Sequence, residues 1–240
     1  MLWLWAFLAL FVLLMLWALV IAPARTRKIF TSLEAQGWQS VASGDETLQS
    51  ALEALRPFDL MAHRPDGGPN VREATVVSAR ARSGPDGTLY LVQLRVIAQN
   101  WEYANDVSHK TLALEARGLP EASAYILASD RDVRFPRAIK DLGLAKVEAG
   151  LDRDFAGSFL CLEAPGSRLR LPSAFQQALL ASVDLFLYGA GDRGRFMPNM
   201  CLRLSSSAWA LVAPEPIVTE RQMRAFLDTA ERVSRGLSDA

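Results

Sequence analysis

Residues 88–98, TLYLVQLRVIA, decide the fold class. Tyr90, Val92, Leu94, Val96 and Ala98 alternate with Leu89, Leu91, Gln93, Arg95 and Ile97. The first set is wholly apolar and the second is mixed. That period of two marks an antiparallel strand with one side on a core. Working outward, Gly84-Pro85-Asp86-Gly87 is a turn, and VREATVVSAR (71–80) before it is a second strand. Pro65-Asp66-Gly67-Gly68-Pro69-Asn70 is another turn by composition. Downstream, KTLALEAR (110–117) places Leu112, Leu114 and Ala116 on one side, and SAYILA (123–128) reads as a further strand. The middle of the chain is expected to be a meander of four or five strands.

Helical spacing flanks this block. Ser43-Gly44-Asp45-Glu46 has the form of a capping box, and Leu48, Ala51, Leu52 and Leu55 follow at i, i+3, i+4 and i+7 until Pro57. Phe135-Pro136 opens a short helix through Ile139 and Leu142, stopped by Gly143. Asp154–Glu163 reads as a strand. Pro172-Ser173 starts a helix with Gln176 at the capping-box position and a stripe of Phe175, Ala178, Leu179, Val183 and Phe186. MCLRLS (200–205) and AWALVA (208–213) form a strand pair. In the last helix Thr219 and Gln222 make the box, Val218 and Met223 the staple, and Phe226, Leu227, Ala230 and Val233 the buried stripe, with Gly236 after it. Strands in a block followed by mixed elements indicate α+β, a mostly antiparallel sheet with packing helices. Two lobes are expected, 38–145 and 146–240, the second ending in the amphipathic helix; whether they form one domain stays open.

Residues 1–22, MLWLWAFLALFVLLMLWALVIA, contain no charge, and 13 of the 22 are Leu, Phe, Val or Ile. A helix of that length measures roughly 33 Å against a hydrocarbon core of about 30 Å. The stretch is therefore expected to be a transmembrane helix contacting the lipid bilayer, with 23–37 as a juxtamembrane helix or linker closed by Gly37. Arg25, Arg27 and Lys28 follow at once, and no basic residue precedes. The positive-inside rule then places the N-terminus outside and the body in the cytoplasm, single-pass in a bacterial inner membrane. Ala22-Pro23-Ala24 resembles a small-x-small site, so signal cleavage stays open as the alternative.

Charge excludes one class of partner. Without Arg25, Arg27 and Lys28, 23 basic residues face 26 acidic ones, a net of −3, which disfavours nucleic acid. Cys161 and Cys201, with His63 and His109, offer no zinc spacing, and no cofactor or metal is implied. Cys161 shares a strand face with Phe159, the pattern of a buried, inert thiol. Gly189-Ala190-Gly191-Asp192-Arg193-Gly194 matches GxGxxG, but a helix precedes it and Pro198 follows where a binding helix should run. It reads as a connection. Asp130, Asp132, Asp152 and Asp154 lack a calcium-loop pattern.

The order LEAQGW (33–38), LQSALEALRPF (48–58), the hairpin strands, LALEARGLPEASAYIL (112–127), DFAGSFLCLEAP (154–165) and a closing helix resembles an uncharacterised group of bacterial proteins. Members of that group have one N-terminal span and an α+β body. The resemblance implies no activity and no site residue.

One stretch does point to a site. Trp101, Glu102, Tyr103, Asn105, Asp106 and His109 put two aromatics, two carboxylates, an amide and an imidazole between two strands. Amphipathic aromatics on a sheet-held loop suit recognition. A hairpin loop folded back on the sheet edge is the bland alternative. No nucleophile motif accompanies these residues. The expected function is a membrane-tethered, non-enzymatic module that binds a protein partner through residues 101–109. The alternative is a membrane-bound hydrolase or transferase with a site assembled from distant residues.

Overall fold

The computed structural model describes residues 2–16, 22–58, 60, 71–85, 87–99, 105–129, 136–147, 149–188, 200–213, 216–217 and 219–238. Helix α1 runs over Leu2–Leu16 and α2 over Ala22–Ala35; β1 (Gln39–Val41) and α3 (Glu46–Ala54) follow. Then come β2 (Val71–Gly84), β3 (Gly87–Gln99), β4 (Asn105–Glu115), β5 (Ala124–Ala128), α4 (Pro136–Asp141), β6 (Ala145–Lys146), α5 (Arg153–Ser158) and β7 (Phe159–Glu163). The chain continues through α6 (Ser173–Leu180), α7 (Val183–Tyr188), β8 (Cys201–Leu204), β9 (Trp209–Ala213) and α8 (Glu220–Ser238).

The N-terminal expectation is corrected. Helix α1 has 15 residues, roughly 22 Å at 1.5 Å per residue, against a hydrocarbon core of about 30 Å. Residues 17–21 lie outside the described residues, and α2 then carries Arg25, Arg27 and Lys28. Among the described residues no helix is long and apolar enough to cross a membrane. That overturns the transmembrane helix over 1–22 and, with it, single-pass anchoring in an inner membrane with the body inside. Every described side chain of α1 is exposed, Trp3 at 89%. Helix α2 behaves differently: Ile29 and Leu33 are buried in the core, and Gly37, at φ 86°, closes it.

The antiparallel sheet is present and larger than expected. The nine strands of the described residues lie in one sheet, in the order β1-β2-β3-β4-β9-β8-β5-β7-β6. The meander holds through β2, β3 and β4. The β8–β9 hairpin then inserts between β4 and β5, so strands from both halves of the chain interleave. Each of the described strand pairs is antiparallel, from β1–β2 to β6–β7.

Helices cover both faces. On one, Ile29, Phe155, Phe175, Phe186, Phe226 and Val233 pack against Leu91, Ile126, Leu202 and Leu211. On the other, Leu48, Leu52, Leu55 and Phe58 meet Tyr90, Val92, Leu94 and Leu112, while Leu60, Tyr125, Leu144 and Leu162 form a smaller cluster beside α4. Central strands β8 and β9 are buried at every position, because both their faces are covered.

Local signals explain the element starts. Asp45, rather than Ser43, caps α3, accepting from Leu48 N at 2.8 Å. The strand expected from Asp154 begins only at Phe159. Asp152 accepts from Asp154 N at 2.9 Å and turns residues 153–158 into α5, so that Phe155 stacks on Phe159 with centroids 5.0 Å apart. Gln176 caps nothing at its own helix; it bonds Asp152 N and Leu171 O, at 2.8 and 2.9 Å. Thr219 does cap α8, accepting from Gln222 N at 3.2 Å. Gly236, expected after that helix, lies inside it.

Candidate recognition surface

Strands β2, β3 and β4 outrun their neighbours. β1 pairs with β2 only at Ala79–Ala81, and β9 pairs with β4 only at Thr111–Glu115. The outer parts of the three strands, 71–76, 94–99 and 105–110, therefore form a ribbon that pairs only within itself among the described residues. On β4 that extension is six residues, roughly 20 Å at 3.4 Å per residue. Helix α3 keeps one face of the ribbon dry: Leu94 and Val96 are buried under it. The other face opens progressively along β3, where Leu89 and Leu91 are buried, Gln93 is half-buried and Arg95 is exposed.

Register assigns the row at the open end. Thr75 pairs with Arg95, and Arg95 with His109. Directly paired antiparallel positions present their side chains on one face, so an exposed guanidinium and an exposed imidazole stand side by side. One row further in, Ser78, Gln93 and Thr111 align, and the Ser78 hydroxyl donates to Gln93 Oε1 at 3.0 Å.

The residues expected to form the site divide. Trp101, Glu102 and Tyr103 lie outside the described residues. Asn105 and Asp106 are the first positions of β4, paired with Gln99 and Ala98. His109 is strand rather than loop. The partner of His109 that sequence reading missed is Arg95. Its signal was visible as a charged residue on the mixed face of an otherwise apolar strand, but nothing along the chain says where the helical cover stops. His63, Asp130, Asp132 and the 189–194 glycine segment lie outside the described residues.

A second polar centre sits at the opposite end of these strands. Glu115 is buried, and its Oε2 accepts from Trp209 Nε1 at 3.1 Å, Ser234 Oγ at 2.9 Å and Arg117 Nη2 at 3.1 Å. Arg117 also donates to Ser234 O and Ser238 Oγ, both at 2.8 Å. A cleft of about 330 Å³ opens beside it, lined by Arg82, Gly87, Leu89, Glu231, Ser234 and Arg235. Arg82 is paired with Glu231 and lies over the Trp38 ring. The Ser234 hydroxyl is held by Glu115 and Arg117, and among the described lining residues there is no histidine. Another cleft, of about 310 Å³, lies between α3 and β2, with Leu52, Phe58, Val76 and Leu94 inside and Gln49, Glu53 and Arg56 around them.

Two buried groups belong to the core. Cys161 has its thiol pushed up to about 12 by burial. Arg203 is stacked 4.6 Å from the Tyr125 ring centroid and donates to Ala124 O and Leu204 O; burial lowers its pKa. Among the described residues no group of three or more His, Cys, Asp or Glu could hold a metal ion.

No known protein family, characterised protein or solved structure matches this chain.

Proposed function

We propose that the chain is a binding module for a protein partner, with the outer end of the β2–β3–β4 ribbon as its recognition surface. The observation that carries this reading is the six-residue extension of β4 beyond β9, which holds one face of the ribbon clear of the helical layer. A ribbon backed by the apolar side chains of α3 is a rigid mount, and binding residues gain from rigid mounts. In the sequence between β3 and β4, Trp101-Glu102-Tyr103 has aromatics with polar edges, the composition favoured at interfaces. His109 has Arg95 as its cross-strand neighbour, an arrangement suited to holding a ligand group rather than relaying a proton.

A photo-crosslinking residue at Ile97 tests the reading, with the same residue at Arg170 as the control. Position 97 is expected to give one discrete adduct in cells, and position 170 none. The pair Trp101→Ala and Tyr103→Ala is expected to abolish that adduct with less than about 0.5 kcal/mol change in stability. A loss on the order of 3–5 kcal/mol per ring would identify both as core residues and overturn the reading.

A further inference from the structure

We propose that the open face of the ribbon binds an acidic segment of the partner polypeptide, a proposal that rests on the recognition reading above and adds its chemistry. Arginines elsewhere on this face are matched from within the chain. Arg80 pairs with Glu34 at 3.0 Å and lies over Phe30; Arg82 pairs with Glu231; Arg117 pairs with Glu115 at 3.1 Å. Arg95 breaks the pattern. Among the described residues neither it nor His109 has an ion-pair partner, and both are exposed. The acidic position 73 lies one row further out on the edge strand.

Helix α2 runs beside the same strands. Trp38 lies beside Arg82, while Glu34 and Phe30 lie beside Arg80, so the amino-terminal turns of α2 run on in the direction of Ser78 and Thr75. Those turns expose Arg27 and Lys28. Arg95 and His109 thus stand as an exposed basic pair on a chain whose 26 basic and 26 acidic residues cancel overall. An extended phosphate backbone needs a broader positive field than this. Carboxylates suit it: a guanidinium binds them through two parallel hydrogen bonds, and a flanking imidazole N–H adds a third donor. Acidic motifs are commonly read by such basic groups on otherwise neutral domains.

Titrating the full chain into fluorescent deca-glutamate and deca-lysine peptides at low ionic strength, read by anisotropy, tests the proposal. Deca-glutamate is expected to bind and deca-lysine not. The double variant Arg95→Glu, His109→Glu should raise Kd roughly tenfold or more, since like charge at a recognition face repels. Lys140→Glu with Arg170→Gln makes the same change in net charge elsewhere, with histidine neutral, and should leave Kd nearly unaltered. Should the first pair unfold the chain, Arg95→Gln with His109→Gln takes its place and should still weaken binding. Equal weakening by both double variants, or no preference for deca-glutamate, overturns the acidic-segment proposal. The Ile97 adduct separates the two levels: if it persists in the Arg95/His109 variant, the recognition surface stands and its acidic specificity falls. If it is absent from the unmodified chain, both fall.

Discussion

Glu115 on β4 and Trp209 on β9 are register partners whose side chains are also joined, indole Nε1 to carboxylate Oε2 at 3.1 Å, with both residues buried. Around that bond Arg117 and Ser234 close the remaining donors, tying the sheet to the last turns of α8. A buried carboxylate is costly unless each partner is in place. Here three donors converge on one oxygen, so its removal takes that acceptor from the Trp209 indole and the Ser234 hydroxyl, while Arg117 keeps Ser234 O and Ser238 Oγ.

Glu115→Ala is therefore expected to lower stability by about 2–4 kcal/mol, and Glu115→Gln by less, because the amide oxygen still accepts. Gly87 supplies an internal check. It has φ 144°, and a Cβ there would overlap Glu115 Oε1. Gly87→Ala should be destabilising alone and distinctly less so in the Glu115→Ala background. Urea unfolding of the four chains measures the coupling. Strict additivity would mean that the two residues do not meet.

Gly236 sets propensity against packing. Inside a helix, Gly→Ala gains about 1 kcal/mol. A Cβ at 236, however, would stand 2.8 Å from Phe175 Cα, backbone that cannot rotate away. The close approach of α6 and α8 should win, making Gly236→Ala destabilising. A raised thermal midpoint would show that the two helices separate freely.

The N-terminal region divides at α2. Removing residues 1–21 should leave the unfolding midpoint unchanged, since every described side chain of α1 is exposed. Removing 1–30 deletes buried Ile29 and the Phe30 ring under Arg80, and should cost about 2–4 kcal/mol. Equal midpoints for the two truncations would place α2 outside the cooperative unit.

Local rules were enough where the deciding contact lies close in sequence. Alternation in TLYLVQLRVIA gave the β3 pattern, and Thr219 with Gln222 marked the start of α8. Three features were out of reach for physical reasons. The β8–β9 hairpin enters between β4 and β5, a long-range choice that no periodicity encodes. Phe155 and Phe159 fit a strand or a helix end equally well, and the Asp152 cap decided between them. Residues 1–22 counted as one apolar run, whereas among the described residues no helix is long and apolar enough to cross a membrane. Of the candidate site, His109 was visible as a residue type, but its pairing with Arg95 needed the register.

Cys161 carries a prediction with a definite sign. Its thiol is buried beneath helices and pushed up to about 12, because burial penalises the thiolate. In the unfolded chain a thiol titrates near its ordinary value of about 8.5–9. Above that pH the unfolded state binds fewer protons than the folded one, so the contribution of this group to stability falls as pH rises. It is fully present below about pH 8.5 and is lost on the way to about 12, with a slope of at most about 1.4 kcal/mol per pH unit. Tyrosines and lysines also titrate in that range, so the comparison with Cys161→Ala isolates it. The variant should start less stable near neutral pH, by the cavity it leaves, and the two urea-derived stability curves should converge as pH rises from 9. Parallel curves would sink the assignment. So would rapid reaction of Cys161 with a thiol reagent in the native chain at pH 8, where a buried neutral thiol should remain inert until the protein unfolds.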